Sequence, residues 1–505
     1  MLLSDGRAAD TSVAETRTAT AAFAVLPVTI IAGALGVVLL AISGRYGYFG
    51  DELYFVAAGR HLDFGYVDQP PLVPFLSLIA DTIAPGNVAV LRIPAILATV
   101  AGVVVAALTA RELGGRRRAQ VITAAAYALA PVVDVGGHLL ATTSVDLFGW
   151  TVITWLLVRW LRLREDRLLL WAGLVTAVDL QSKYLVVSFW VLAGVAILFV
   201  GPRDIFRSRL LWLGAGIAVL TAMPSLLWQA GHGWPQVDMV HEVALEQENG
   251  GSGNAGGFLL AFGGTVGVIG VPLGLYGLWR AIRLPQFRFL AIVAVALIVV
   301  FIVMAGRPYY AAGILPVLWA LGAVGLDGPR RRWVPWVAWP AAALSVVMLA
   351  QTLPVEPRSL RGVDDSVDAL DVESVGWPEV TDDIAAAYRA LPADVRRHTA
   401  IVGDSYWVAS AISLYGPSRG LPAVYSPNRG FWYFGVPPES ATNVLYVNSA
   451  FDTDTTMRQH FAKATQVATV DNRQGVDNIY EGAPITLLVG RDEPWSALWP
   501  RLRNL

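Results

Sequence analysis

The run Gly47-Tyr-Phe-Gly-Asp51-Glu52-Leu-Tyr54, followed by His61-Leu-Asp63-Phe-Gly-Tyr66-Val-Asp68-Gln69-Pro70-Pro71, gathers four carboxylates just after an apolar stretch. A carboxylate at a membrane surface can take a proton from a hydroxyl, provided it lies within hydrogen-bond reach and its surroundings set its pKa. Tyr46, Tyr48, Phe49 and Tyr54 would partly bury Asp51 and Glu52, which favours chemistry over plain solvation. Asp68 can orient a donor head group or, with Asp51 or Glu52, a metal. A purely structural role at the start of the helix from Leu72 is equally open, since Pro70 and Pro71 fix an extended approach to it.

A second acidic point lies in Thr142-Thr143-Ser144-Val145-Asp146. Capping by Ser144 or Asp146 accounts for it, and so does a carboxylate sharing a cavity with Asp51. Lys183, one of two lysines in the chain, lies deep among apolar segments, where ionisable groups are costly and mostly functional or paired. It can bind a lipid phosphate, or snorkel to the interface. Arg307-Pro308-Tyr309-Tyr310 offers another cation, with rings suited to a sugar or lipid or to an interfacial belt. His138 is read as a packed or interfacial residue before a ligand.

These residues must be positioned by membrane helices. The chain of 505 residues is 55% hydrophobic and 15% charged, with mean hydropathy +0.53, which excludes an ordinary soluble protein. A span needs about 20 apolar residues. Runs at 21–42, 88–110, 119–133, 145–161, 168–180, 184–200, 210–230, 258–279, 289–305, 311–326 and 334–352 predict about eleven transmembrane helices, with the first kept as an anchor. Arginine accumulates on the cytoplasmic side. One set of loops holds Arg111, Arg116, Arg117, Arg118, Arg162, Arg164, Arg167, Arg203, Arg207, Arg209, Arg280, Arg283, Arg288, Arg330, Arg331 and Arg332. The other holds only Arg45, Arg60, Lys183 and Arg307. This asymmetry puts residues 1–21 in the cytoplasm as a tail, and both the Asp51 loop and everything after residue 352 outside.

Residues 353–505 turn polar, with Pro, Gly and an Asp-rich patch at 363–368. Apolar runs at 399–402, 443–447, 466–470 and 484–489 predict buried strands, with helical spacing at 381–391 and 406–414. A small α/β domain therefore follows the membrane domain of 22–352. Gly403-Asp404-Ser405 is a strand-to-helix turn with a cap. The Gly-rich stretch 249–257 is a flexible outer loop with no phosphate-loop pattern. No cysteine is present, so disulfides and thiolate metal sites are excluded. A net charge of −2 and the lack of a basic stripe predict no nucleic-acid partner.

Taken together, Asp51-Glu52-x-Tyr54, Asp68-Gln-Pro-Pro71, Ser144-Val-Asp146 and Arg307-Pro-Tyr-Tyr310, in this order, resemble the polyprenyl-phosphate-dependent glycosyltransferases of the GT-C superfamily. The resemblance lies with the bacterial branch related to protein O-mannosyltransferases and lipid A aminoarabinose transferases, and takes in the membrane domain. It implies a GT-C type polytopic α-helical fold among the lipids of a bacterial plasma membrane. It also implies transfer of one sugar from a polyprenyl-monophosphate donor to a glycan, lipid or protein acceptor outside, with inversion. Asp51 matches the family's catalytic carboxylate and Asp146 a second functional acid. Asp51, Glu52 and Asp146 are then catalytic, with Glu52 and Asp146 orienting the base or the acceptor. Tyr54, Asp68, Gln69, Lys183, Arg307, Tyr309 and Tyr310 are substrate-binding, with Lys183 and Arg307 stabilising the leaving phosphate. Asp68, Pro70 and Pro71 frame the pocket. Gln69 stands where aminoarabinose transferases tend to carry Lys, which argues against that donor. The stretch from Asp404-Ser-Tyr-Trp407 to Tyr415-Gly416 resembles the soluble tail of bacterial members. No cofactor is fixed by the resemblance; a divalent metal is left open, with the carboxylates and His138 as candidate ligands. The competing function is a transporter or lipid flippase, which would place charges at mid-membrane on interrupted helices in paired repeats.

Overall fold

The computed structural model describes residues 20–327, 334–355, 372–449 and 456–505. The expected cytoplasmic tail, the Arg330 to Arg332 cluster and the Asp-rich patch at 363–368 fall outside these residues, apart from the last two positions of the tail.

Apolar runs give helices α1 (Val25–Ile42), α2 (Gly50–Arg60), α3 (Leu72–Ile83), α4 (Val88–Glu112), α5 (Arg117–Ala128), α6 (Pro131–His138), α7 (Thr142–Leu163) and α8 (Arg167–Asp179). They are followed by α9 (Val186–Val200), α10 (Arg209–Gly231), α11 (Pro235–Asn249), α12 (Ala255–Arg283), α13 (Arg288–Val303), α14 (Leu315–Gly325) and α15 (Val334–Thr352). Each of the expected apolar runs falls on helix. Only seven segments among the described residues, however, are long and apolar enough to cross a membrane: α1, α4, α7, α10, α12, Pro285–Val303 and Pro308–Gly325. An eighth is the pair α5 and α6, bent by 59°, where Pro131 lacks the N–H that would continue the helix. Helices α8 and α9, of 13 and 15 residues, reach only about 20 and 22 Å at 1.5 Å per residue, short of a hydrocarbon core of about 30 Å. Helix α11 has no counterpart in the sequence reading.

The C-terminal part holds α16 (Trp377–Ala390), β1 (Thr399–Gly403), α17 (Tyr406–Tyr415), β2 (Val424–Tyr425), β3 (Asn443–Val447), β4 (Phe461–Thr469), β5 (Pro484–Arg491) and α18 (Trp495–Leu502). The strands form one sheet in the order β2-β1-β3-β5-β4. β1 runs parallel to both β2 and β3, whereas β5 is antiparallel to β3 and β4. β1 and β3 are buried at every position, as continuous apolar runs require. β4, expected to be buried, is a largely exposed edge strand beyond its first residue; an edge strand with one open side needs no apolar run. Ser405 caps α17 as expected, accepting from the Trp407 N–H.

The segment after α1 and the C-terminal sheet share one core: Leu53, Val56 and Val73 pack in the same cluster as Ile384, Ile401, Ile412 and Leu445. That shared core fixes α2, and therefore Asp51, against α17. The approach is close enough that a Cβ on Gly50 would strike the Trp407 ring, and one on Gly430 the Tyr54 hydroxyl. Only glycine fits either position.

Candidate active site

Asp51 and Glu52 occupy the first turn of α2 and point in different directions. Glu52 faces inward and is fully buried. One of its oxygens takes Arg92 Nη2 at 2.7 Å and the Phe49 N–H at 3.1 Å. The other takes Arg92 Nε at 3.0 Å and the Leu140 N–H at 2.9 Å. Arg92 also donates to the Ser43 and Gly47 carbonyls, each at 2.8 Å. Glu52, expected to join the chemistry, is thus a clamp tying α2 to α4 and to the turn before α7. With two donors on each oxygen it has little left to offer a substrate. His138 lies 3.3 Å from Arg92 Nη1, and a guanidinium beside the ring disfavours a metal there.

Asp51 faces a cleft of about 320 Å³. Its Oδ1 accepts from Tyr406 Oη at 2.6 Å and from Trp407 Nε1 at 2.9 Å. Tyr54, Asp68, Gln69, Lys183, Arg307, Tyr309 and Tyr310 line the same cleft, so the structure gathers these expected residues around Asp51. Tyr54 donates to Asp68 Oδ1 at 3.2 Å. Burial pushes the Asp68 carboxyl up to about 6, with Arg429 working against the shift. Gln69 is buried, and its Nε2 has no partner among the described residues. Lys183 follows α8, donates to Thr143 Oγ1 at 3.3 Å and lies 5.0 and 4.5 Å from the Tyr309 and Tyr310 ring centroids.

Asp146, expected to share the cavity, is not among the residues that line it. It is buried in α7, accepts from Trp150 Nε1 at 3.1 Å and sits within electrostatic reach of Lys183. Asp179, which no sequence signal singles out, is buried beside both, and its oxygens have no hydrogen-bond partner among the described residues. Ser144 does the capping, taking the Ala141 N–H at 3.2 Å.

Four further site residues escape the sequence reading. Arg429 reaches the cleft from the C-terminal part and donates to Tyr406 Oη at 3.1 Å. Its φ of 46° lies in the left-handed region, a strained state for a long side chain that the surrounding fold must hold. Glu246, on α11, bridges the cations: one oxygen meets Arg307 Nη2 at 2.7 Å, the other meets Arg429. Tyr406 and Trp407 stand out in the sequence only as part of a soluble tail. Burial, then the nearby Asp51 charge, holds the Tyr406 phenol well above its ordinary range, so it donates. A local hint exists for Arg429 alone, in the turn Asn428-Arg429-Gly430 before an aromatic run.

The rest of the cleft is largely apolar, with Leu185, Met239, Val240, Val243, Phe301 and Met304 along its walls. The site therefore combines a carboxylate with one oxygen that has no hydrogen-bond partner among the described residues, three cations and a greasy flank. A grouping of His, Asp and Glu with ligand atoms within 4.8 Å of one another occurs among the described residues only at His460, Asp492 and Glu493, none of which lines the cleft.

Residues 68–228 match the family described as dolichyl-phosphate-mannose-protein mannosyltransferase. The chain is 24% identical over 464 residues to the lipid A galacturonosyltransferase RgtD of Rhizobium johnstonii, covering 87% of this chain and 92% of that one. In fold it is similar to ArnT from Cupriavidus metallidurans, with a TM-score of 0.57 to the apo state at 17% identity. Against the state bound to undecaprenyl phosphate the TM-score is 0.58 at 18% identity, and each comparison covers 90% of this chain and 97% of that one.

Proposed function

We propose that this chain is a membrane glycosyltransferase of the GT-C superfamily, as its family match, its relative and its fold support, and that Asp51 is the base for sugar transfer from a polyprenyl-monophosphate donor to an acceptor hydroxyl. The observation that carries this reading is Oδ2 of Asp51, which has no hydrogen-bond partner among the described residues, in a cleft that also holds Lys183, Arg307 and Arg429. Asp51 takes the proton of the hydroxyl as its oxygen attacks the anomeric carbon, and the bond from that carbon to the phosphate oxygen breaks. The polyprenyl phosphate leaves with an added negative charge, which Lys183, Arg307 and Arg429 stabilise. Attack opposite the leaving group inverts the anomeric centre.

Glu246 holds the two arginines until the donor phosphate takes its place. The apolar wall from Leu185 to Met304 takes the first isoprene units. Tyr309 and Tyr310 hold Lys183 and flank the sugar, while Tyr54, Asp68 and Gln69 frame it. Glu52 and Asp146 position α2 and Lys183. The acceptor is a glycan, lipid or protein of the cell envelope, and the donor itself is a membrane lipid. The arginine distribution supports a bacterial plasma membrane orientation with the N-terminus in the cytoplasm and the C-terminal part, residues 353–505, outside. The alternative of a transporter or lipid flippase gains nothing from the relatives, whose stated activities are sugar transfers.

The test is transfer by the purified protein from a panel of polyprenyl-phosphate sugars. Asp51→Asn should lower turnover by at least about a hundredfold, the scale of general-base catalysis. Wild-type turnover in that variant would remove Asp51 from the chemistry.

A further inference from the structure

Open α/β sheets bind ligands outside the carboxyl ends of their strands, at the point where strand order reverses. In this sheet that point is β1, with β2 on one side and β3 on the other. The chain leaving β1 is Gly403-Asp404-Ser405, and α17 starts directly after it with Tyr406 and Trp407. The first turn of α17, which opens at that point, packs against the start of α2, the segment of the membrane domain that carries Asp51.

The packing there is specific. Phe49 meets Trp407 edge-on with ring centroids 5.2 Å apart, and Tyr54 meets Tyr406 edge-on at 5.1 Å. The Tyr406 N–H is held by Asn428 Oδ1 at 3.1 Å, and the Trp407 N–H by Ser405 Oγ at 3.2 Å. Asp404, which sets the turn, takes the Ser405 N–H at 2.6 Å and Tyr480 Oη at 2.9 Å. The two side chains that reach Asp51 are therefore fixed from behind by backbone and side-chain bonds of their own domain. Such support is what holds a reactive group within the fraction of an ångström that chemistry needs.

We infer that Tyr406 and Trp407 are positioning residues for the Asp51 base, so that the C-terminal domain completes the active site. Both donate to the same oxygen, Oδ1, and Oδ2 has no hydrogen-bond partner among the described residues. The pair thus decides which oxygen faces the acceptor. Arg429 donates to Tyr406 Oη, which leaves the phenol proton to point at Asp51. The same guanidinium meets Glu246, which also holds Arg307. The base and the two arginines of the cleft are in this way joined by one chain of hydrogen bonds, from Arg307 through Glu246, Arg429 and Tyr406 to Asp51.

This inference rests on the reading of Asp51 as the base. Its test uses the full-length protein in detergent, with the Tyr406→Phe and Trp407→Phe variants, which keep a ring in place and remove one donor each. Steady-state kinetics with a polyprenyl-phosphate sugar give kcat and the donor KM. Equilibrium binding of polyprenyl phosphate and thermal unfolding are measured beside them. Each variant should lose about ten- to a hundredfold in kcat, the scale of a hydrogen bond to a charged group, with the donor KM and polyprenyl phosphate binding unchanged. A role in domain docking alone would instead lower the Tm and raise the donor KM together. Tyr415→Phe, at the far end of α17, should behave as wild type. Wild-type kcat in both variants alongside an inactive Asp51→Asn overturns this inference and leaves the base reading standing. An active Asp51→Asn overturns both. A loss of kcat only in step with a raised KM and a lowered Tm also overturns it. Should one variant fail to fold, the other decides.

Discussion

Glu52→Gln separates a scaffold carboxylate from a catalytic one. Glu52 and Arg92 have no exposed side-chain surface, and their closest atoms are 2.7 Å apart. Removing one partner of a buried pair leaves an uncompensated charge and costs about 3–5 kcal/mol. Glutamine worsens the match, because its amide must set an N–H against Arg92 or against the N–H groups of Phe49 and Leu140. At about 1 °C per kcal/mol for a chain of this size, the Tm should fall by about 3–5 °C. Tryptophan fluorescence on heating in detergent reads that fall, and transfer kinetics well below the Tm read the chemistry. Transfer should survive in Glu52→Gln at a temperature where Asp51→Asn is inactive. The double replacement Glu52→Leu with Arg92→Met should recover much of the lost Tm, because it leaves no buried charge. A Glu52→Gln protein with wild-type Tm and no transfer would return Glu52 to the chemistry.

Arg429→Met removes one of the cleft cations and should raise the donor KM by about tenfold, the scale of one charge-assisted hydrogen bond. Glu246→Gln should lower the donor KM, since the competing carboxylate charge is gone; kinetics at fixed salt read both. Asp68 gives a pH signature. Its carboxyl titrates at about 6 when folded, against the usual 3.8, so between those values the unfolded chain releases a proton that the folded one keeps. Stability falls as pH rises through that window and stays lower above it. Asp68→Asn cannot ionise and should raise the Tm relative to wild type at about pH 7.5, with the difference gone at about pH 4. An equal difference at both pH values would contradict the raised pKa.

Local patterns carry much of the architecture. Apolar runs mark the helices because a membrane helix must be apolar along its own length. They do not say which runs span fully, since Pro131 bends one and α8 and α9 are short. Strands β1 and β3 are readable because both faces are buried, whereas β4, on an edge, carries no such demand. Asp51 stands out among aromatic neighbours, and Lys183 and Arg307 because cations are scarce in the set of loops that holds them. Glu52 looks equivalent to Asp51 because adjacent residues share composition. Helical geometry turns neighbours to different faces, and Arg92, 40 residues away, claims only one of them.

Composition and short-range order are enough to make this a membrane protein with a polar C-terminal part, and to mark a carboxylate and cations suited to a lipid-phosphate sugar. Which oxygen of Asp51 is free, which acid is buried in an ion pair and which arginines share a carboxylate are matters of long-range packing. The Tyr406 bond to Asp51 joins residues 355 positions apart. A contact of that kind leaves no mark on the local pattern of either segment, because it exists only once the helices and the sheet are packed together.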